Sequence, residues 1–137
     1  MSHDRVEDEV AINAMLSEMY QAWADNDADG FVRCYTDNAT AILPGSLRSS
    51  REVIRESMAA GFDGPLQGSS TVDRQLSLRF VGEDAAVAVS EGGILFAGED
   101  AVPEERKIHA TWVFEKRDGR WLVAAYHNSP LHAPAHA

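Results

Sequence analysis

Cysteine occurs once in these 137 residues, at Cys34, so an internal disulfide is excluded. Beside Phe31, Val32 and Tyr35 it reads as a buried small hydrophobe. Basic residues are scarce: 12 Lys and Arg against 22 Asp and Glu give a net charge of −10. That balance excludes nucleic acid and anionic membranes as partners, because neutralising phosphates takes clustered cations. No apolar run approaches the ~20 residues of a membrane-spanning helix. The first ten residues mix charges where a secretion signal needs an apolar core, so the expected location is the cytosol. A glycine-rich dinucleotide fingerprint is missing, and no cofactor is expected. No metal site is expected either. His127, His132 and His136 are interrupted by Pro130 and Pro134, with no cysteine or carboxylate support.

What remains is ordinary globular composition, 45% hydrophobic and 25% charged. One domain is expected over 1–137, with a core of about 6–130 and a flexible tail at 131–137. Ile12, Leu16, Met19, Tyr20 and Trp23 make one apolar stripe, which predicts an amphipathic helix over about Val6 to Asn26, with Glu7, Asp8 and Glu9 in its first turn. Asp27 or Asp29 caps a short second helix carrying Phe31 and Val32. Ala39 to Leu43 reads as a strand stopped by Pro44-Gly45. Ser49 and Glu52 have capping-box spacing for a third helix, with Ile54, Met58 and Phe62 on one line.

The remainder is strand. Val72 to Phe80 alternates, with Asp73 and Gln75 on the polar side, and Gly92-Gly93 marks a bulge or bend in the next strand. Lys107 to Pro130 forms two long strands around Asp118-Gly119, a strong hairpin signal because glycine accepts the positive φ of the turn. Strict alternation puts Ile108, Ala110, Trp112 and Phe114 on one face and His109, Thr111 and Val113 on the other; in the second strand Trp121, Val123, Ala125 and His127 share a face. Helices followed by antiparallel strands predict an α+β domain: a cone-shaped barrel of three N-terminal helices packed on a strongly curved, mostly antiparallel sheet.

The phrases Trp23 to Gly30 and Tyr35 to Thr40 resemble the nuclear transport factor 2-like superfamily. Arg117 to Trp121 with Ala125 to Pro130 resembles its polyketide-cyclase-like branch. More closely, Gly61 to Pro130 is similar to small proteins of enediyne antibiotic gene clusters, through Gly64-Pro65-Leu66, Ser90-Glu91-Gly92-Gly93 and Ala110-Thr111-Trp112-Val113. The resemblance implies a hollow cone and a hydrophobic small-molecule ligand. It also shows departures. The position of the ketosteroid isomerase base is Leu43, the oxyanion tyrosine falls near Met19, and the hydrogen-bonding aspartic acid falls near Thr111. The isomerase site is therefore absent. The last-strand aspartate of the cyclases corresponds to His127, a competent acid/base.

The candidate catalytic set is thus His127, with His109 on a facing strand and Asp37 to orient the imidazole. Met19, Trp23, Tyr35, Met58, Phe62 and Thr111 are the candidate ligand-binding residues. Three functions fit: a cofactor-free cyclase, dehydratase or isomerase of polyketide or enediyne biosynthesis, a non-catalytic binder of a reactive polyene, or a structural dimer module. A homodimer through the sheet is expected, on an apolar face of Ile108, Trp112, Phe114, Leu122 and Tyr126.

Overall fold

The computed structural model describes residues 2–132, with side chains from Arg5 onward. The expected flexible tail from 133 on, including His136, lies outside them. Helix α1 runs Ser2–Ala24, α2 Ala28–Val32 and α3 Arg51–Phe62. The strands are β1 Tyr35–Leu43, β2 Ser46–Arg48, β3 Ser70–Phe80, β4 Ala85–Leu95, β5 Ile108–Arg117 and β6 Arg120–Pro130. They form one sheet in the order β2-β1-β6-β5-β4-β3, in which only β1 and β6 run parallel. The expected α+β class and the order of helices and long strands hold, with the short β2 as an addition. Among the described residues no helix is long and apolar enough to cross a membrane.

Local chemistry explains the boundaries, with two corrections. Asp27 caps α2 by accepting from the Gly30 amide at 3.0 Å. Ser50, not Ser49, caps α3: its hydroxyl accepts from the Val53 amide at 3.2 Å, and Glu52 pairs with Arg55 instead of closing a box. Asp118 and Gly119 both take positive φ, 53° and 76°, as a tight hairpin turn between β5 and β6 requires. A Cβ on Gly92 would meet the Val72 carbonyl oxygen at 1.9 Å, so glycine is what lets β3 approach β4 there. The slip in that ladder falls at Leu76, between Gln75 and Ser77.

The largest departure lies in β6. Phe114 pairs with Val123 and Val113 pairs with Ala125, which leaves Ala124 as an extra residue. Such a bulge reverses the alternation beyond it. Trp121 and Val123 face the core on one side of Ala124, while Tyr126 and Asn128 face inward on the other. His127 consequently turns outward.

The inner face of the sheet meets α1 and α3 in one core. Ile12, Met15, Leu16 and Met19 of α1 pack with Ile54, Met58, Trp112, Phe114 and Val123, all within 5% of complete burial. This corrects the expected dimer face. Trp112 and Phe114 are buried by the chain's own helices, and Tyr126 points to the interior.

Helix α1 begins four residues earlier than the pattern predicts, so Asp8 sits beyond the first turn and is buried. Its Oδ1 accepts from Trp121 Nε1 at 2.9 Å and from Lys116 Nζ at 3.2 Å, tying the helix to the β5–β6 hairpin. Burial opposes its ionisation, but the hydrogen bonds from Trp121 and Lys116 outweigh burial and hold the carboxyl below its ordinary 3.8. A lowered native pKa stabilises the fold above the unfolded value, and this contribution is lost as pH falls through the native one. Asp8→Ala should cost about 1–3 kcal/mol at neutral pH by stranding a buried indole N–H. Denaturant titrations of Asp8→Asn and the parent protein should differ at pH 7, and the gap should begin to close only as pH falls below about 4. A constant gap across that range would remove the ionic part of the argument.

Candidate functional site

Four ladder pairs make a row across the inner face of the sheet, and its part from Arg48 to Trp112 is the floor of a cavity. Arg48 stands opposite Ala41, Ala41 beside Tyr126, Tyr126 opposite Trp112, and Trp112 opposite Ala88. Adjacent strands lie ~4.8 Å apart, so Ala41 stands as a small residue between the large side chains of that floor. Its short side chain leaves space that α1 and α3 do not fill. The result is a cavity of about 530 Å³, within the range of small-molecule sites. Tyr20 and Trp23 of α1 and Met58 of α3 form its roof, and Thr71, Asp73 and Ile94 form the far wall.

Aromatic contacts fix the walls. The Trp112 ring lies 4.5 Å from that of Tyr126 and 6.3 Å from that of Tyr20, edge-on to the latter. Trp23 is edge-on to Phe31 and Phe62 at 5.5 and 5.7 Å, and its Nε1 donates to Ser69 Oγ at 2.8 Å.

Polar groups are few and incompletely paired. Tyr20 Oη, Arg48 Nε, Thr71 Oγ1, Trp112 Nε1 and Asn128 Oδ1 are buried without a partner, and all five residues line the cavity. Native proteins pair nearly all such atoms, with protein groups or ordered water, so this concentration gives the cavity wall polar positions open to partners from outside the chain. Asn128 Nδ2 donates to Tyr126 Oη at 2.9 Å, leaving the phenolic proton free to point at a ligand. Burial pushes Tyr126 up to about 12; the Asn128 hydrogen bond works against the rise and the Asp73 charge adds to it. Burial also raises Tyr20, and the nearby Asp73 carboxylate opposes its ionisation further. Tyr35 is raised by burial as well. All three phenols are therefore proton donors at neutrality. The lining also holds a carboxylate beside two of them, Asp73, on exposed edge strand β3.

Of the residues selected from sequence, Trp23, Tyr35 and Met58 line the cavity. Met19 is fully buried behind it and Phe62 supports Trp23 from outside. His109, Thr111 and His127 are exposed on the outer face, where His127 stands between Ile42 and Thr111. Ala124 shifted β6 by one residue, and Trp112 rather than Thr111 is the inward side of β5. Asp37 has an 86% exposed side chain and pairs with Arg51, so it orients no imidazole. The proposed His127–His109–Asp37 constellation is not assembled. Among the described residues no cluster of three metal-ligating side chains occurs.

Residues 12–133 match the SnoaL-like domain family. The chain belongs to that family. Similar solved structures agree on its fold. A domain of unknown function with a cystatin-like fold from Nostoc punctiforme shares 22% identity over 95% of this chain and 81% of its own, with a TM-score of 0.85. An NTF2-like protein from Novosphingobium aromaticivorans shares 15% identity over 99% and 90%, with a TM-score of 0.83. A candidate scytalone dehydratase from the same organism shares 14% identity over 96% and 89%, with a TM-score of 0.79. At such identities the likeness shows the NTF2-like fold. No curated protein matches the sequence.

The three tyrosines of this SnoaL-like chain all face inward, which gives a direct test. Alkaline titration of the native protein, followed by tyrosinate absorbance, should show no ionisation near pH 10 and an onset at about 12. The denatured chain should titrate near 10. Because the native values are raised, stability should fall as pH climbs past 10. One native tyrosine titrating normally would mean that the cavity is open to bulk water.

Proposed function

We propose that this SnoaL-like protein binds a flat, largely apolar small molecule of polyketide-type biosynthesis and catalyses proton transfer on it. The observation that carries this reading is the set of five cavity-lining residues whose buried polar atoms lack partners. An apolar filler would leave those atoms unpaired, whereas a ligand bearing a few oxygens would satisfy them. The resemblance of Gly61 to Pro130 to small proteins of enediyne clusters supports a polyene-like intermediate, handled in the cytosol. The likeness to a candidate scytalone dehydratase supports acid–base chemistry in a fold of this kind.

The chemistry follows from the lining. The Asp73 carboxylate takes a proton from the carbon beside a ligand carbonyl. The C–H electrons move onto the carbonyl oxygen, which the Tyr126 hydroxyl and Trp112 N–H receive as it becomes an enolate. Returning the proton from Asp73 to another carbon completes an isomerisation; for ring closure the enolate carbon instead attacks a second carbonyl of the ligand, whose oxygen takes the proton. Expelling a β-hydroxyl as water, with Tyr20 as donor, completes a dehydration. A binding-only role is the second reading, and the exposure of Asp73 at the edge of the sheet favours it.

Titration with all-trans-retinol should quench tryptophan fluorescence saturably, and Tyr126→Phe should weaken binding by about 5- to 10-fold. The absence of quenching in the parent protein would defeat the ligand reading. With tetralone in deuterated water, the parent should speed exchange at the carbon beside the carbonyl, and Asp73→Asn should slow it by ~100-fold. Binding without exchange in the parent protein would leave the binder.

We also propose a homodimer, now through the outer sheet face, where Ile42, Val87, Val89, Val113 and Leu122 form an incompletely buried apolar surface. Sedimentation at micromolar concentration should give twice the chain mass. Val113→Glu should give a monomer that still binds retinol. A monomeric parent would rule out this arrangement.

A further inference from the structure

Three cations line the cavity: Arg48, Arg106 and Lys107. Two are neutralised within the chain. Arg106 Nη1 lies 3.0 Å from Glu99 Oε2, and Lys107 Nζ lies 3.1 Å from Glu104 Oε1. Arg48 differs. Among the described residues it pairs with no carboxylate, although acidic residues outnumber basic ones by 22 to 12. Its Nε–H is buried without an acceptor, and Nη1 reaches only the Met58 sulfur at 3.6 Å.

Position makes the unpaired charge meaningful. The β1–β2 hairpin is closed by Pro44-Gly45, with Gly45 at φ 75°, and its register sets Arg48 opposite Ala41 on the inner face. A side chain larger than alanine at 41 would stand between Arg48 and the Tyr126–Trp112 pair. The guanidinium is half-buried among Met58, Tyr35 and Tyr126. A cation in such surroundings is costly unless an anion joins it. The planar guanidinium can engage a carboxylate through two parallel hydrogen bonds.

We propose that the cavity selects an apolar ligand carrying a carboxylate or equivalent oxyanion at one end, and that Arg48 is the group that binds it. This rests on the reading of the cavity as a small-molecule site and adds the charge and orientation of its guest. The anion lies against β2 at the Arg48 end of the floor, and the body of the ligand runs over Tyr126 and Trp112 toward Thr71 and Ile94. Burial, which lowers the pKa of Arg48 despite the neighbouring phenols, also strengthens its attraction for a bound anion.

The test compares two probes that share a polyene skeleton and differ at one end, all-trans-retinoate and all-trans-retinol, read by tryptophan quenching at neutral pH. The parent protein should bind retinoate at least about 10-fold more tightly than retinol. In Arg48→Gln the two affinities should become about equal, with retinoate losing at least about 10-fold and retinol far less, so that retained retinol binding reports an intact cavity. Arg48→Lys should keep part of the preference, which also covers the case of a glutamine variant that does not fold. Equal affinities in the parent protein would overturn the role of Arg48 and leave the small-molecule site standing. Failure of both probes to bind would overturn the site itself. A preference that survives Arg48→Gln but disappears in Lys107→Gln would place the anion at the other cation and overturn the inference.

Discussion

An extra residue in a β-ladder has no partner across the strand, so the longer strand bulges and every side chain beyond it changes face. In this protein that residue is Ala124. On the hairpin side of it, Trp121 and Val123 close the core beneath α1. On the other side, Tyr126 and Asn128 supply the hydroxyl and amide that face the cavity. One strand thus serves as core at one end and cavity wall at the other. The row from Arg48 through Tyr126 to Trp112 exists only because the shift occurs where it does.

The cavity stays open because its floor is small and its roof is fixed. Ala41 is too short to fill the space above it, and α1 cannot settle onto it. The helix is held near its start by Asp8 against Trp121 and Lys116, and at its end by Trp23 against Ser69. Collapse would break these hydrogen bonds. Leaving cavity-wall atoms unpaired costs stability, at ~1–3 kcal/mol for each buried group without a partner. Five of the buried unpaired atoms found among the described residues gather around this one volume.

The fold was legible because its signals are local and redundant: the stripe from Ile12 to Trp23, the line Ile54, Met58 and Phe62, and the Asp118-Gly119 turn. The hollow was partly legible, since Trp23, Tyr35 and Met58 lie on faces whose direction follows from helix period or strand pairing. The polar pole was not. Alternation is read one residue at a time, and nothing in the Val123-Ala124-Ala125 string says which of these small residues is left unpaired. That single step exchanged His127 for Tyr126 and Asn128. Asp73 escaped for a related reason: edge strand β3 is exposed along most of its length, so polar residues on its inner face look like solvent-facing ones. Arg48 was hidden by shortness, because the three residues of β2 are too few to show a period.

Arg106 fastens the long connection between β4 and β5 at the rim of the hollow. Besides its ion pair with Glu99, it donates to the Ile94 carbonyl at 3.0 Å and lies 4.6 Å over the Phe96 ring, so one side chain gathers both ends of that loop. Its charged end is about one-third exposed, and dissolved ions reach and weaken such a pair. The walls of the hollow are packed rings that electrolyte leaves untouched. Salt would then loosen the rim without loosening the walls, making the speed at which guests come and go a matter of ionic strength.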